Sequence, residues 1–529
     1  MLEDMEELGI SSIAAYLRSK GHIVMIIGTH VNLIDYKAIS DFNAAVVGIT
    51  VYGVTKSFVY QICEKLKNIN KKTFICVGGI EATCNGTNIL QDCSSVDFSI
   101  AGEGEVAMLS LVKAIENSCS YSNIEGLIYR SGNKIIKNSK QQYIENLDEL
   151  PYPSRDILLI KKTNIAQIST SRGCMGNCSF CSSQLFWKKW RGRSPQNIVD
   201  EIELIVTQYH INMFSFIDSS FEDTGVETGR LEQIADEIIN RKLFISYIVD
   251  FRADFHRHAT SELMQKLKKS GLVSAMIVIE SNNENDLKVF NKKASIEDNY
   301  KVMKLFNENG IVVKIGFINF NPYSTFEGLR KNIDFLELHQ YALNFEGTAS
   351  RYMMFKGTRL FDKLAKDNML KNESSNEWGY IYQDQRIEYL SDYINDYIHS
   401  DPTLEKSFQR VRYYNPYYRI FISNCKRQFS LNKHEKGLFV LTEFLKIYEL
   451  PIDGLCHEFN NKISNWFRLL LELAENNWDG KRASEISEKI LSAEYVHKTA
   501  SQLDKMKNNL YMNLVKLGPE YENYLINIS

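Results

Sequence analysis

Three cysteines, Cys174, Cys178 and Cys181, fall within one short run, Ser171-Arg172-Gly173-Cys174-Met175-Gly176-Asn177-Cys178-Ser179-Phe180-Cys181. Thiolates at C-x3-C-x2-C spacing suit one face of a cubane iron–sulfur cluster. A [4Fe–4S] cluster normally takes four cysteines, so three leave one iron open to a small molecule. A structural zinc loop and three unrelated thiols are the alternatives. Zinc sites usually show paired C-x2-C elements and a fourth ligand, and no second pair occurs here. The run follows a strand-like segment, Ile165 to Thr170, where a barrel of alternating strands and helices holds its chemistry.

The chain has 529 residues, a length that allows about three domains. Its 44% hydrophobic and 12% aromatic fractions support packed cores. A net charge of −3 provides no global basic field, so no nucleic-acid partner is expected. No run of about 18 apolar residues and no charged-then-apolar leader is present. The expectation is therefore a cytoplasmic protein with no membrane partner. The seven remaining cysteines (Cys63, Cys76, Cys84, Cys93, Cys119, Cys425 and Cys456) are scattered and read as free thiols.

Residues 1–125 alternate helix and strand periods. Ile10 to Lys20 is helical and stops at Gly21. His22–Gly28, Ala44–Val51, Thr73–Val77 and Asp97–Ala101 are apolar runs of strand length. Such runs between amphipathic helices predict a doubly wound, Rossmann-like parallel sheet, with ligands at the carboxyl ends of its strands. Those ends carry Gly48 to Gly53, Gly78-Gly79-Ile80-Glu81 and Gly102-Glu103-Gly104-Glu105. Glycine there permits close backbone approach to a ligand, or simply makes tight turns.

Residues 126–160 read as a linker stiffened by Pro151 and Pro153. Residues 161–380 repeat strand and helix, with strand candidates Ile165–Thr170, Met213–Asp218, Ile245–Asp250, Ala275–Glu280, Val312–Ile318 and Phe345–Ala349. Six such units predict a partial (β/α)6 barrel. Ser194 before Pro195 marks a helix start. Residues 381–529 are helical, interrupted by an expected loop at Tyr413-Tyr414-Asn415-Pro416-Tyr417-Tyr418-Arg419. Apolar stripes at Lys436–Tyr448 and Ile463–Glu475 predict two further helices. No motif is legible there, and this part is expected to carry substrate identity.

The cysteine spacing, with Phe180 just before the last cysteine, resembles the radical SAM superfamily. The segments LGISSIAAYLRSKGHIV, VVGITVY, VGGIEAT and VDFSIAGEGE resemble the cobalamin (B12)-binding domain that precedes the barrel in some of its members. The family domain usually opens with an additional strand, and the D-x-H-x-x-G motif is absent from this one. The resemblance implies an enzyme in which a [4Fe–4S] cluster on Cys174, Cys178 and Cys181 cleaves S-adenosylmethionine (SAM) reductively to a 5′-deoxyadenosyl radical. It implies cobalamin on the glycine-bearing edge: Gly48, Gly53, Gly78, Gly79, Gly102, Glu103 and Gly104. It further implies Phe180 near the adenine, Asp218 toward the methionine amine, and Glu280 or Ser281 toward ribose or carboxylate. Arg252 is placed to pair the SAM carboxylate, while Arg172, Arg191 and Arg193 read as loop solvation.

The implied partners are a small-molecule or peptide substrate and an external electron donor such as flavodoxin or ferredoxin. C-methylation is the leading chemistry, beside other radical transformations. A cobalamin-independent enzyme with a remnant first domain, and a non-catalytic Fe–S redox or sensing protein, are the other readings.

Overall fold

The structure, a computed structural model, describes residues 6–27, 34–161, 163–222, 229–372 and 378–518. In the first sheet, β1 (Val46–Thr50), β2 (Phe74–Gly78) and β3 (Phe98–Ile100) run parallel in that order. Successive side chains point to opposite faces of a strand, so each face needs its own cover. Ile75 and Val77 pack with helices Lys56–Ile69 and Ile80–Asp92, whereas Cys76, Phe98 and Ile100 pack with Leu8–Ser19 and Gly104–Glu116. Helices on both faces make the sheet doubly wound.

Two expectations for this region need correction. His22–Gly28 is not a strand over its described part. Residues 22–27 make no ladder (Gly28 lies outside the described residues), and β1 is the sheet edge. A strand exists only through a hydrogen-bonded neighbour, and here Arg18 Nη2 takes the Val24 carbonyl at 2.7 Å. The stretch 126–160 is not all linker either. An antiparallel hairpin, β4 (Leu127–Ser131) and β5 (Lys134–Lys137), extends the same sheet beyond β3 and buries Leu127 and Ile128.

The second sheet holds β6 (Ile165–Ile168), β7 (Met213–Phe216), β8 (Ser246–Arg252), β9 (Leu272–Glu280) and β10 (Val312–Phe317). All pair in parallel in sequence order, the order of a singly wound barrel wall. The helix start at Ser194-Pro195 is observed: Ser194 Oγ accepts from Asn197 N at 3.2 Å and the helix runs Pro195–Tyr209. The expected sixth strand, Phe345–Ala349, is a short helix. Its Thr348 carbonyl accepts from the Asn319 side chain at 2.6 Å instead of joining a ladder. A single parallel bridge, Phe320 to Arg351, stands at the sixth place.

The helices after residue 381 close the opposite end of the barrel. Arg427, on helix Tyr417–Leu431, donates to the Ile245, Lys268 and Lys269 carbonyls at 2.8–3.1 Å, just before β8 and β9 begin. Ile420 joins Met213, Val273, Ile165, Ile248 and Val312 in an apolar floor. The two expected helices are one, Glu435–Asn476, running through Pro451. The expected loop at Tyr413–Arg419 is a junction between helices ending at Tyr413 and starting at Tyr417. Its aromatics are packing groups: Tyr414 donates to Asp504 at 3.0 Å, and the Tyr413 and Tyr417 rings stack at 6.3 Å.

Candidate active site

The cysteine loop leaves the carboxyl end of β6 and is anchored at its root by Asp218. The Asp218 carboxylate accepts from Thr170 N (2.8 Å), Thr170 Oγ1 (2.7 Å) and Ser171 N (2.7 Å). Asp218 is buried and both its oxygens hold the root of the loop, so its contacts here are with the loop backbone and Thr170 rather than with a methionine amine. Ser171–Arg172 then pairs antiparallel with Arg191–Gly192. Gly173 has φ +92°, and a Cβ there would lie 2.5 Å from the Lys189 carbonyl oxygen, so only glycine fits this turn.

Around Gly176 two of the thiols gather. A Cβ on Gly176 would lie 3.2 Å from Cys174 Sγ, 3.8 Å from Cys178 Sγ and 4.0 Å from Arg252 Cδ. Gln184 fastens the loop through the Gly176 carbonyl at 2.7 Å. Ser179 N donates to the Phe290 carbonyl at 2.8 Å from the far side. Burial pushes the Cys174 thiol up and the Cys178 thiol up to about 11. Arg252 and Glu222 act on the first, Lys292 and Glu280 on the second. Thiols held neutral by burial become thiolates only with a cation at the sulfur, which is what an iron supplies. Among the described residues no three His, Cys, Asp or Glu side chains converge on a single metal ion. A cubane attaches each cysteine to a different iron, and three thiols in one loop are a donor set that fits it.

Arg252, at the end of β8, pairs with Asp254 (2.9 Å) and Glu222 (3.4 Å). Glu280, at the end of β9, has φ +69° and sits at a register shift against β10. A left-handed non-glycine residue is strained, and such strain gathers at functional sites. Burial raises its carboxyl above the ordinary range, opposed by Lys292, whose Nζ is 4.0 Å away. Ser281 is fully buried, with its hydroxyl 2.8 Å from Asp286 Oδ2 and 3.0 Å from Asn332 Oδ1. It therefore faces an internal polar network rather than a ligand, which corrects the expectation for it. Phe180 packs edge-on against Phe290 at 5.2 Å, forming one apolar wall of the loop.

The glycine-bearing edge of the first sheet divides in two. At β1 and β2 it is open: Tyr52 is 48% and Val54 88% exposed, and nothing lies within 4 Å of a Cβ built on Gly78. Gly53 faces Glu81, with 3.7 Å from its built Cβ to Oε2. A Cβ on Gly48 would meet Met108 at 3.3 Å, and one on Gly79 (φ +95°) would meet Thr50 at 3.1 Å. At β3 the edge is filled by the chain itself. Built Cβ atoms on Gly102 and Gly104 would lie 2.6 Å from Gln141 Oε1 and within contact of Ile13. Gly102 and Gly104 thus serve packing, and the corrin-cradle expectation survives only for the β1 and β2 ends.

Glu103 is a clamp rather than a ligand group. It takes a two-pronged pair from Arg191 (2.9 and 3.0 Å), a bond from Arg172 (2.9 Å) and the Ile144 N–H (2.8 Å). Arg172 reaches Glu105 as well, at 2.6 Å. The arginines read as solvating the cysteine loop instead bolt it to the first sheet. Arg193 pairs with Glu201 and likewise is not solvating. Acidic residues in the glycine turn, and arginines on both sides of the cysteines, were the signal for this contact.

A parallel barrel wall with an open-ended cysteine loop beside a doubly wound domain defines a cluster- and SAM-dependent class. Residues 168–336 match the radical SAM superfamily model, and residues 1–112 the B12 binding domain model. The chain belongs to the radical SAM superfamily and carries an N-terminal B12-binding domain. It is an enzyme whose cofactors are a [4Fe–4S] cluster, SAM and cobalamin. An uncharacterized methyltransferase of Pyrococcus horikoshii is 28% identical over 372 residues, 69% of this chain and 79% of that protein. The anaerobic magnesium-protoporphyrin IX monomethyl ester cyclase of Rubrivivax gelatinosus is 27% identical over 58% of each chain. Among solved structures, the cobalamin-dependent SAM radical enzyme OxsB, with aqua-cobalamin and SAM bound, superposes with TM-score 0.68 at 19% identity. It covers 99% of this chain and 81% of that one. Enzymes of this class act on small substrates and need a reductant. No helix among the described residues is long and apolar enough to cross a membrane.

Proposed function

We propose that the protein is a cobalamin-dependent C-methyltransferase of a small substrate, with Cys174, Cys178 and Cys181 as its three cluster ligands. The observation that carries this is the thiol loop at the barrel mouth, bolted by Glu103 and Glu105 to a sheet that keeps an open edge at the ends of β1 and β2. Relatives named as methyltransferases, in Pyrococcus horikoshii and Streptomyces wedmorensis, support methylation. The bound cluster with SAM supplies a carbon-centred radical, and the corrinoid a transferable methyl group. The chain's own work is to hold these in line and keep water out. Arg252 meets the SAM carboxylate with a guanidinium fork, Glu280 the ribose hydroxyls, and Phe180 with Phe290 the adenine side. The floor around Ile420 seals the far end. A flavodoxin or ferredoxin is the fitting electron donor.

Anaerobic enzyme with reconstituted cluster, given SAM and dithionite, is expected to release methionine and 5′-deoxyadenosine and to retain hydroxocobalamin through gel filtration. No release overturns the reading. Release of both products without corrin absorbance would overturn the cobalamin-dependent part of the reading.

Arg252→Ala and Glu280→Gln are each expected to weaken SAM binding while leaving the cluster spectrum intact. Losing a charge-assisted hydrogen bond costs about 1.5–3 kcal/mol, roughly ten-fold to a hundred-fold in affinity. Calorimetry with SAM checks this, and unchanged affinity in both variants returns them to rim solvation. Val54→Asp tests the open edge. Val54 is 88% exposed, so folding stability should hold within about 0.5 kcal/mol while hydroxocobalamin retention falls. Retention equal to wild type removes this edge from the corrin site.

A further inference from the structure

Inside the barrel, one row of side chains carries charge. β8, β9 and β10 are in register at Asp250, Met276 and Lys314, so these three share a face of the wall. It is the inner face. The alternate residues Tyr247, Val249, Phe251, Ala275, Ile277 and Ile315 are buried in the outer core against the helices, whereas Asp250 and Lys314 are only half-buried. Two strand spacings separate them, roughly 10 Å between backbones. Arg252 lies on the same face of β8, two residues or roughly 7 Å nearer the cysteine loop. The apolar floor around Ile420 lies on the other side.

Among the described residues, neither the Asp250 carboxylate nor the Lys314 ammonium enters a hydrogen bond or an ion pair. The lysine has the Tyr417 ring 4.9 Å from Nζ. Burial pushes Asp250 up to about 7, with Asp218 and Glu222 raising it further and Lys314 opposing. Half-buried groups of opposite sign, facing one another across the wall with neither in a hydrogen bond or ion pair among the described residues, mark a site that a ligand completes.

We propose that Asp250 and Lys314 anchor the substrate of this enzyme. They would take a small molecule with an amine or hydroxyl for Asp250 and a carboxylate or phosphate for Lys314, about a molecule's length apart. The anchored end lies on the floor side, which points the rest of the substrate at the cysteine loop. The proposal rests on the radical SAM reading for what is then done to the substrate, but the anchor itself needs no cluster.

O-phospho-L-serine carries both groups and serves as the probe, titrated calorimetrically into the full chain before and after cluster reconstitution. Saturable binding is expected in both forms, weakened at least ten-fold by Asp250→Asn and by Lys314→Met. SAM affinity and substrate-free 5′-deoxyadenosine release should stay within two-fold of wild type. No saturable binding to the wild type, or equal binding by the two variants, overturns the proposal. A ten-fold loss of SAM affinity in both variants overturns it too, by assigning the pair to SAM. Wild type that binds the probe but never cleaves SAM keeps the anchor and fails the functional reading instead.

Discussion

Alanine at Cys174, Cys178 or Cys181 is expected to abolish reductive SAM cleavage, taking product below detection while the chain stays folded. The reconstituted wild type should hold about four iron per chain, the count of a cubane. In the proposed cluster each of the three thiols serves a different iron, and no fourth cysteine of the chain lies in the same loop. Loss of one therefore leaves a second iron open and the cluster labile, rather than shifting the load to a neighbour. Cys119→Ala is the control, because that thiol is exposed in the first domain and should change nothing. Iron analysis, the cluster absorbance and 5′-deoxyadenosine release check the outcome together. Full cleavage by a triple alanine variant would overturn the ligand assignment.

How much of this was legible depended on whether the partner of a residue lay nearby in sequence. The strand runs are continuous apolar stretches, so Thr73–Val77 and Met213–Asp218 were read within a few residues of the observed Phe74–Gly78 and Met213–Phe216. Ser194 and Pro195 mark their helix by local chemistry alone. His22–Gly28 has the same apolar run but finds no ladder, a fact about the neighbouring chain rather than about its own composition. Phe345–Ala349 failed for a related reason, its backbone being claimed by Asn319. Among the site residues, the cysteine run was legible as a motif because its spacing carries the chemistry, and it falls inside the stretch that matches the radical SAM model. Asp218 and Ser281 were not. Whether a carboxylate or hydroxyl at a strand end faces a ligand or braces a loop is decided by groups such as Thr170 and Asn332 that fold in from elsewhere. The glycines at Gly102 and Gly104 were ambiguous from the outset, and Gln141 and Ile13 settle them as packing positions.

Glu103→Ala is expected to destabilise the protein by about 3–5 kcal/mol, the cost of leaving a buried guanidinium without its partner. Glu103, Arg191 and Glu105 are each under 5% exposed, so water cannot replace the lost carboxylate. Arg172 keeps Glu105, but among the described residues the Arg191 side chain retains only the Ile144 carbonyl and the Tyr143 ring. Burial alone would raise the Glu103 carboxyl. The bonds from Arg191, Arg172 and Ile144 N–H outweigh it and hold the group below its ordinary value. A depressed carboxylate contributes stability above its unfolded pKa, about 4.3, and loses it as pH falls through the folded value. The acid limb of the wild-type stability curve should therefore flatten in Glu103→Gln, which keeps the shape and removes the charge. Because Arg172 stands two residues before Cys174, the same variant should also release cluster iron to a chelator faster than wild type. Urea midpoints across pH and the chelation rate are the measurements. A Glu103→Ala variant within about 0.5 kcal/mol of wild type, the usual range of a surface substitution, would show that the clamp does not hold the cysteine loop to the first sheet.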